Sequence, residues 1–322
     1  MRKKKNPPAG GSVAIVGAGL IGRSWANVFA RAGCTVRVWD PSAAQREAAP
    51  GLIARSLREL KVPGLVVDAA AAAARVQVVA TLEEAVRAAD YVQESGPETL
   101  AAKLETFAAL DAAAPAHCVL ASSTSAIVAS LFTEGLAGRA RCIVAHPVNP
   151  PHLVPVVELC GAPWTSDATK AHARAVMQFV GQVPIDVKRE IDGFVLNRLQ
   201  AALLTEAFRL VQDGVVSPQD LDHVVADGLG LRWAFIGPFE TIELNAPAGI
   251  ADYCRRYVPW FRRYMADLPT ARVWDDDRWQ AAANAWGTGP DAGAVASKSR
   301  WRDDRLAALV AHKRGQKPWQ ES

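Results

Sequence analysis

Hydrophobic positions in the first part of the chain fall into short, nearly continuous apolar runs, separated by segments with helical spacing. Residues 13–16, 36–38, 76–79, 91–93, 118–121, 142–145, 156–159 and 182–187 have the length and apolar character of buried strands. Residues 20–32, 100–113 and 167–180 follow helical patterns. Alternation of this kind implies a mostly parallel sheet with helices on both faces. The alanine run 69–74 is helix-compatible and reads as part of a surface helix with no function.

The pattern changes after about Arg189. Phe194, Leu196, Leu199, Leu203, Ala207, Phe208 and Val211 recur at helical spacing, and Gly214 ends the segment. Ser217 followed by Pro218 opens another helix, as an N-cap with proline at the first position. From there to about Leu309 β-rich runs are few. The chain therefore predicts an α/β fold in two domains. Residues 1–188 hold a Rossmann-type, mostly parallel sheet, and residues 189–322 form an all-helical domain. The second part contains Trp233, Trp260, Trp274, Trp279, Trp286, Trp301 and Trp319, a density expected of a core or a subunit interface rather than a ligand box.

Composition narrows the class. The chain has 322 residues, half of them apolar, enough for two domains and a sizeable core. A formal charge of +3 is too small to indicate a nucleic-acid partner, and Arg2, Lys3, Lys4 and Lys5 read as a solvated tail. No apolar segment follows that tail as a secretory signal would require, and none is long enough to span a bilayer. The five cysteines are scattered without metal-type or redox-type spacing, so reduced thiols in a cytoplasmic protein are expected, with no metal site.

The stretch 12–40 carries the first candidate chemistry. Gly17, Gly19 and Gly22 stand in G-x-G-x-x-G spacing between a predicted strand and a predicted helix, and the next strand ends at Asp40. In this context the glycines, with Ala18, Leu20 and Ile21 between them, form a dinucleotide-binding turn. Gly17 permits the tight turn, Gly19 lets the backbone approach a pyrophosphate, and Gly22 lets helix and strand pack closely. Asp40 lies where a carboxylate accepts from a ribose 2′-OH and repels a 2′-phosphate, so NAD is favoured over NADP.

A second group lies at the carboxyl ends of later strands, the edge where open parallel sheets bind ligands. Ser122 to Ser125 form a polar cluster, His146 ends the following strand, Asn149 comes three residues later, and Glu158 comes twelve residues later. A histidine held by a carboxylate suits proton removal from an alcohol while hydride leaves the same carbon. Alone, His146 beside Pro147 is equally compatible with a structural turn histidine, and Glu158 with a strand-end surface acid. The neighbouring dinucleotide site favours the catalytic reading.

His146, Pro147, Asn149 and Pro150 with Glu158 downstream resemble the H-x-x-N-P…E motif of the 3-hydroxyacyl-CoA dehydrogenase family. Ser125 resembles that family's active-site serine, 192–198 (DGFVLNR) its G-F-[IV]-x-N-R signature, and 237–240 (GPFE) its G-P-F/L-E turn. Within the family, the blocks AHPVNPPHLVPVVEL and GLGLRWAFIGPFET are most similar to the branch of L-gulonate 3-dehydrogenases that includes a lens crystallin. The resemblance implies that His146 is the general base, oriented by Glu158, and that Ser125 and Asn197 hold the reacting oxygen with help from Asn149. It also implies that Glu98 and Lys103 lie near NAD, and that the protein is a homodimer through its helical domain.

The substrate expected is a free 3-hydroxy acid, L-gulonate foremost. Residues 41–80 are shorter and less lysine-rich than the corresponding insertion of the CoA-dependent enzymes. Arg232, before Trp233, offers a guanidinium that a free carboxylate needs and a thioester does not. A surface or interface role for Arg232 stays equally open. Hydroxyacyl-CoA and carnitine dehydrogenases remain as alternatives, as does a non-catalytic NAD-binding crystallin. Ser125, His146, Glu158 and Asn197 occurring together argue for catalysis.

Overall fold

The computed structural model describes residues 11–264, 266, 271–287 and 291–317. The expectations for Arg2 to Lys5 and for Trp319 concern residues outside that set. Eight strands form one sheet: β1 (Ser12–Val16), β2 (Thr35–Trp39), β3 (Val76–Val78), β4 (Tyr91–Glu94), β5 (Val119–Ser122), β6 (Cys142–Pro147), β7 (Val156–Cys160) and β8 (Val183–Val187). Their order is β3-β2-β1-β4-β5-β6-β7-β8. Every neighbouring pair is parallel except β6 and β7, which run antiparallel. The strand order reverses between β1 and β4, the position at which open α/β sheets leave a crevice for ligands.

Both faces of the central strands β1, β4, β5 and β6 are buried, which is why they read as continuous apolar runs. Val13 and Ile15 face one core, with Trp25, Phe29, Ile53 and Leu57. Ala14 and Val16 face the other, with Phe107, Leu110, Phe132 and Phe194. The alanine helix Ala69–Ala74 is not wholly superficial, because Ala69 and Ala72 pack into the first core. Cys34, Cys118, Cys142 and Cys160 are buried and Cys254 is exposed, all as free thiols. Burial pushes the Cys118, Cys142 and Cys160 thiols up to about 12, so they are poor nucleophiles. No helix among the described residues is long and apolar enough to cross a membrane.

The chain divides into two compact units. Residues 11–195 and 299–317 form the first, and 196–298 the second. The sequence pattern groups everything after 188 as one helical domain, but the end of the chain departs from that. In the helix Ala292–Gly315, Leu306, Ala307, Val310 and Ala311 form a narrow apolar stripe, and Ala307 is buried in the core of the sheet unit. The first long helix of the second unit also starts later than its periodicity suggests, at Leu196. Gly193 (φ 73°) and Phe194 (φ 47°) adopt left-handed conformations that no helix continues through.

One buried ion pair ties the sheet to the helix Leu100–Ala113. The Lys103 Nζ donates to both Glu94 carboxylate oxygens at 2.8 and 2.9 Å, and both side chains are 1 % exposed. The Ser122 hydroxyl also donates to Glu94, at 2.6 Å, and the Gly96 N–H at 2.5 Å. A carboxylate held by four donor contacts tolerates burial, but one deprived of its cation does not. Lys103→Met is expected to lower unfolding free energy by about 3–5 kcal/mol, because it strands the Glu94 charge. Urea titration of the single variant and of the Lys103→Met/Glu94→Gln pair checks this: the double variant should be the more stable of the two.

Candidate active site

The turn after β1 is built by three glycines with three different requirements. Gly17 has φ 103°, and a Cβ on it would lie 2.6 Å from the Ser95 carbonyl oxygen. A Cβ on Gly22 would lie 1.8 Å from the Gly17 carbonyl oxygen, so the helix Leu20–Arg31 could not approach β1. Around Gly19 the space is open, with nothing within 4 Å of an added Cβ. Gly19 is the N-cap of that helix, makes no side-chain cap, and is followed by no acid in the first turn. The open cradle and uncapped N–H groups fit the pyrophosphate of a dinucleotide.

Asp40 is tied into the same turn. Its Oδ2 accepts from the Ala18 N–H at 2.7 Å and its Oδ1 from the Ser42 N–H at 2.8 Å. A carboxylate has lone pairs beyond these two bonds, so its orientation is fixed while acceptor capacity remains. Arg23, which the sequence reading passed over, donates to the Ala18 carbonyl at 2.6 Å and braces the turn from the helix side. An arginine directly after the third glycine was the available signal.

β6 and β7 bring a histidine and a carboxylate together. Their antiparallel register sets His146 directly opposite Glu158. His146 Nδ1 and Glu158 Oε2 are 2.8 Å apart, with side chains 6 % and 3 % exposed. Glu158 Oε1 accepts from the Val195 N–H at 2.9 Å. The left-handed pair Gly193–Phe194 turns that N–H inward, and the buried Phe194 ring packs 5.6 Å from the imidazole. The carboxylate makes Nδ1 the protonated ring nitrogen, which leaves Nε2 as the imidazole's proton acceptor. The residues 193–195 thus act through Glu158, a role the sequence motif alone did not assign.

Glu98 collects donors from the loop after β5. Its Oε1 accepts from the Thr124 hydroxyl at 2.5 Å, from the Ser125 and Ala126 N–H groups at 2.8 and 3.1 Å, and from the Ser125 hydroxyl at 3.4 Å. Burial pushes this carboxyl up. The donors at Thr124, Ser125 and Ala126 and the Lys103 charge outweigh burial and hold it below the usual carboxylate range. Lys103 lies 3.9 Å from Glu98 Oε2, but its closest partner is Glu94, an acid the sequence reading did not single out.

A cavity of about 310 Å³ brings these groups together: Glu98, Lys103, Ser125, His146 and Asn149 line it, with Ile21 from the glycine-turn helix. Ser95 and Ser123 line it too. Larger hollows of about 570 Å³ beside β8 and 730 Å³ on the helical unit have no histidine in their walls. Asn197 stands in the first turn of the helix Leu196–Gln212, and the exposed Arg232 follows a π-helical stretch, Val224–Gly230. Both belong to the helical unit, whereas the cavity is built from the sheet unit. Among the described residues no cluster of three or more His, Cys, Asp or Glu could hold a metal ion.

Comparison with known proteins places this geometry. Residues 12–191 match the model of the 3-hydroxyacyl-CoA dehydrogenase NAD binding domain, and residues 193–281 that of the 3-hydroxyacyl-CoA dehydrogenase C-terminal domain. Lambda-crystallin of Oryctolagus cuniculus is 41% identical over 316 residues, covering 97% of this chain and 99% of that protein. L-carnitine dehydrogenase of Pseudomonas putida is 35% identical over 301 residues, covering 92% of each. Among solved structures, the NAD+-dependent dismutase 5-formyl-3-hydroxy-2-methylpyridine 4-carboxylic acid 5-dehydrogenase superposes with a TM-score of 0.82 at 26% identity, covering 96% of this chain and 100% of that one. A sheet unit with a dinucleotide turn and a buried His–Glu pair, followed by a helical unit, is thus matched along nearly its whole length, and the chain belongs to the 3-hydroxyacyl-CoA dehydrogenase family.

Proposed function

We propose that this protein is an NAD-dependent dehydrogenase that oxidises the 3-hydroxyl of a free 3-hydroxy acid, with L-gulonate to 3-dehydro-L-gulonate as the first reaction to test. The observation that carries the reading is the His146–Glu158 pair in the wall of a cavity beside the glycine turn. Bound at the Gly17–Gly22 turn and Asp40, NAD would supply the hydride acceptor. Asp40, already oriented by Ala18 and Ser42, disfavours a 2′-phosphate and so disfavours NADP. His146 Nε2 takes the hydroxyl proton as the carbinol carbon loses hydride. Glu158 balances the imidazolium that results. In the reverse direction the same imidazolium returns the proton. Ser125, Asn149 and Asn197 are assigned to hold the reacting oxygen.

Two features favour a free acid over a CoA thioester. Relatives at 35% identity or more carry the names lambda-crystallin and L-carnitine dehydrogenase, the second naming a substrate with a free carboxylate. Arg232 presents an exposed guanidinium able to take a carboxylate bidentately. The helical unit is assigned to self-association. The helix Leu196–Gln212 has no buried residue, Leu199 is 65% exposed, and Leu204, Phe208 and Trp286 line an apolar groove. The side chains of Trp233, Trp260, Trp274, Trp279 and Trp286 are likewise exposed in the single chain, which supports this assignment.

His146→Ala is expected to lower kcat by about 10²- to 10⁴-fold with NADH affinity unchanged. A turnover within a few-fold of the parent would sink the proton-transfer role. Arg232→Met should lower kcat/KM on L-gulonate by about 10- to 100-fold, as loss of a charge-assisted contact does, and an unchanged value removes the clamp. Light scattering should return twice the chain mass, and Leu199→Asp should shift the protein to monomer. A monomeric parent would overturn the dimer.

A further inference from the structure

A buried chain of hydrogen bonds runs from the core to the cavity, and the chemistry of its members fixes the direction of every proton. The Tyr91 hydroxyl donates to Gln93 Oε1 at 3.1 Å. Gln93 Nε2 donates to the Ala145 carbonyl at 3.2 Å and to the Ser123 hydroxyl at 2.7 Å. Trp25 Nε1 donates to the same Ser123 oxygen at 3.1 Å. Ser123 Oγ then lies 2.9 Å from Ser95 Oγ, a contact in which either hydroxyl could donate on geometry alone.

Two members admit only one role. A backbone carbonyl accepts and cannot donate, so the Gln93 amide nitrogen must face Ala145, which settles which way the amide is turned. An indole N–H donates and cannot accept. Ser123 therefore receives two hydrogen bonds, from Trp25 and Gln93, and both of its lone pairs are occupied. Its one proton goes to Ser95. Ser95 accepts in that contact, so its own proton must be directed elsewhere. Ser95 lines the cavity with His146, and its N–H is held by the Val16 carbonyl at 2.7 Å, next to the glycine turn.

We infer that Ser95 is a hydrogen-bond donor to the nicotinamide half of the bound dinucleotide, its proton turned into the cavity by Trp25 and Gln93 acting through Ser123. This rests on the dehydrogenase reading above and adds a positioning residue to it. The group it selects is an acceptor oxygen, on the carboxamide, the ribose or the adjoining phosphate. Adenosine is excluded because Ser95 shares its cavity with the acid–base pair, whereas the adenosine ribose belongs at Asp40.

Calorimetric titration of the intact protein with NADH and with AMP tests this. Ser95→Ala should weaken NADH binding about three- to tenfold, the effect of one neutral hydrogen bond. It should leave AMP affinity as in the parent. Ser95→Thr, which keeps the hydroxyl, should bind NADH as the parent does. Parental NADH affinity in Ser95→Ala, equal weakening of AMP, or a threonine variant as weak as the alanine one would each overturn the inference. A parent that binds no NADH overturns the cofactor reading and this inference with it, and that result is separate from the first three.

Discussion

The reversal of one strand is the constraint on which the site depends. The antiparallel register of β6 and β7 sets Glu158 directly across from His146. The antiparallel step brings Glu158 back beside His146 after the loop 148–155. It also brings the carboxylate close to the residues that follow β8, so that the Val195 N–H closes the second oxygen. The backbone conformation needed for that contact is costly, since Phe194 is a bulky residue with positive φ. Burial of the Phe194 ring against the imidazole and in the second core offsets that cost.

The charged groups around the cavity are likewise held by more than one neighbour each. Glu94 and Lys103 neutralise one another out of water, and Glu98 takes its donors from three consecutive residues. Fixed dipoles and paired charges of this kind need no rearrangement when a ligand enters, which is how a site keeps its electrostatics constant through a reaction. The same arrangement explains why Lys103 works as a wall of the cavity: its ammonium is committed to Glu94 and shares only a longer contact with Glu98.

Much of this was legible in the sequence. All eight strands follow from apolar runs, most clearly the central ones, where burial on both faces leaves few polar positions to confuse the pattern. The glycine spacing, Asp40, His146 and Glu158 were readable as candidates because each is a specific residue type at a specific place, and the structure pairs His146 with Glu158 and ties Asp40 to the turn. Glu94, Ser95 and Val195 were not, and Ser123 was legible only as one member of the polar cluster 122–125. Their roles arise from neighbours far apart in the chain, such as Trp25 with Ser123 or Val195 with Glu158, and no local spacing announces such a meeting. The destination of residues 299–317 was hidden for a related reason. A helical stripe of Leu306, Ala307, Val310 and Ala311 shows that a surface must be covered but not which one.

Asp40 shows why fold and cofactor choice are not separable here. An acid at the end of β2 is usually discussed for what it excludes, yet this carboxylate also satisfies the Ala18 N–H inside the glycine turn. Replacing it with an apolar or basic residue would change the charge at this turn and at the same time leave the Ala18 N–H without its partner. Arg23 adds to the coupling, since it holds the carbonyl of the same residue, Ala18, in the next peptide unit. A change of cofactor preference at this site therefore requires a compensating acceptor for Ala18 in addition to a new partner for phosphate. On the proposed NAD reading, acceptance of a 2′-phosphate is for that reason further away, in sequence terms, than the single charge at position 40 suggests.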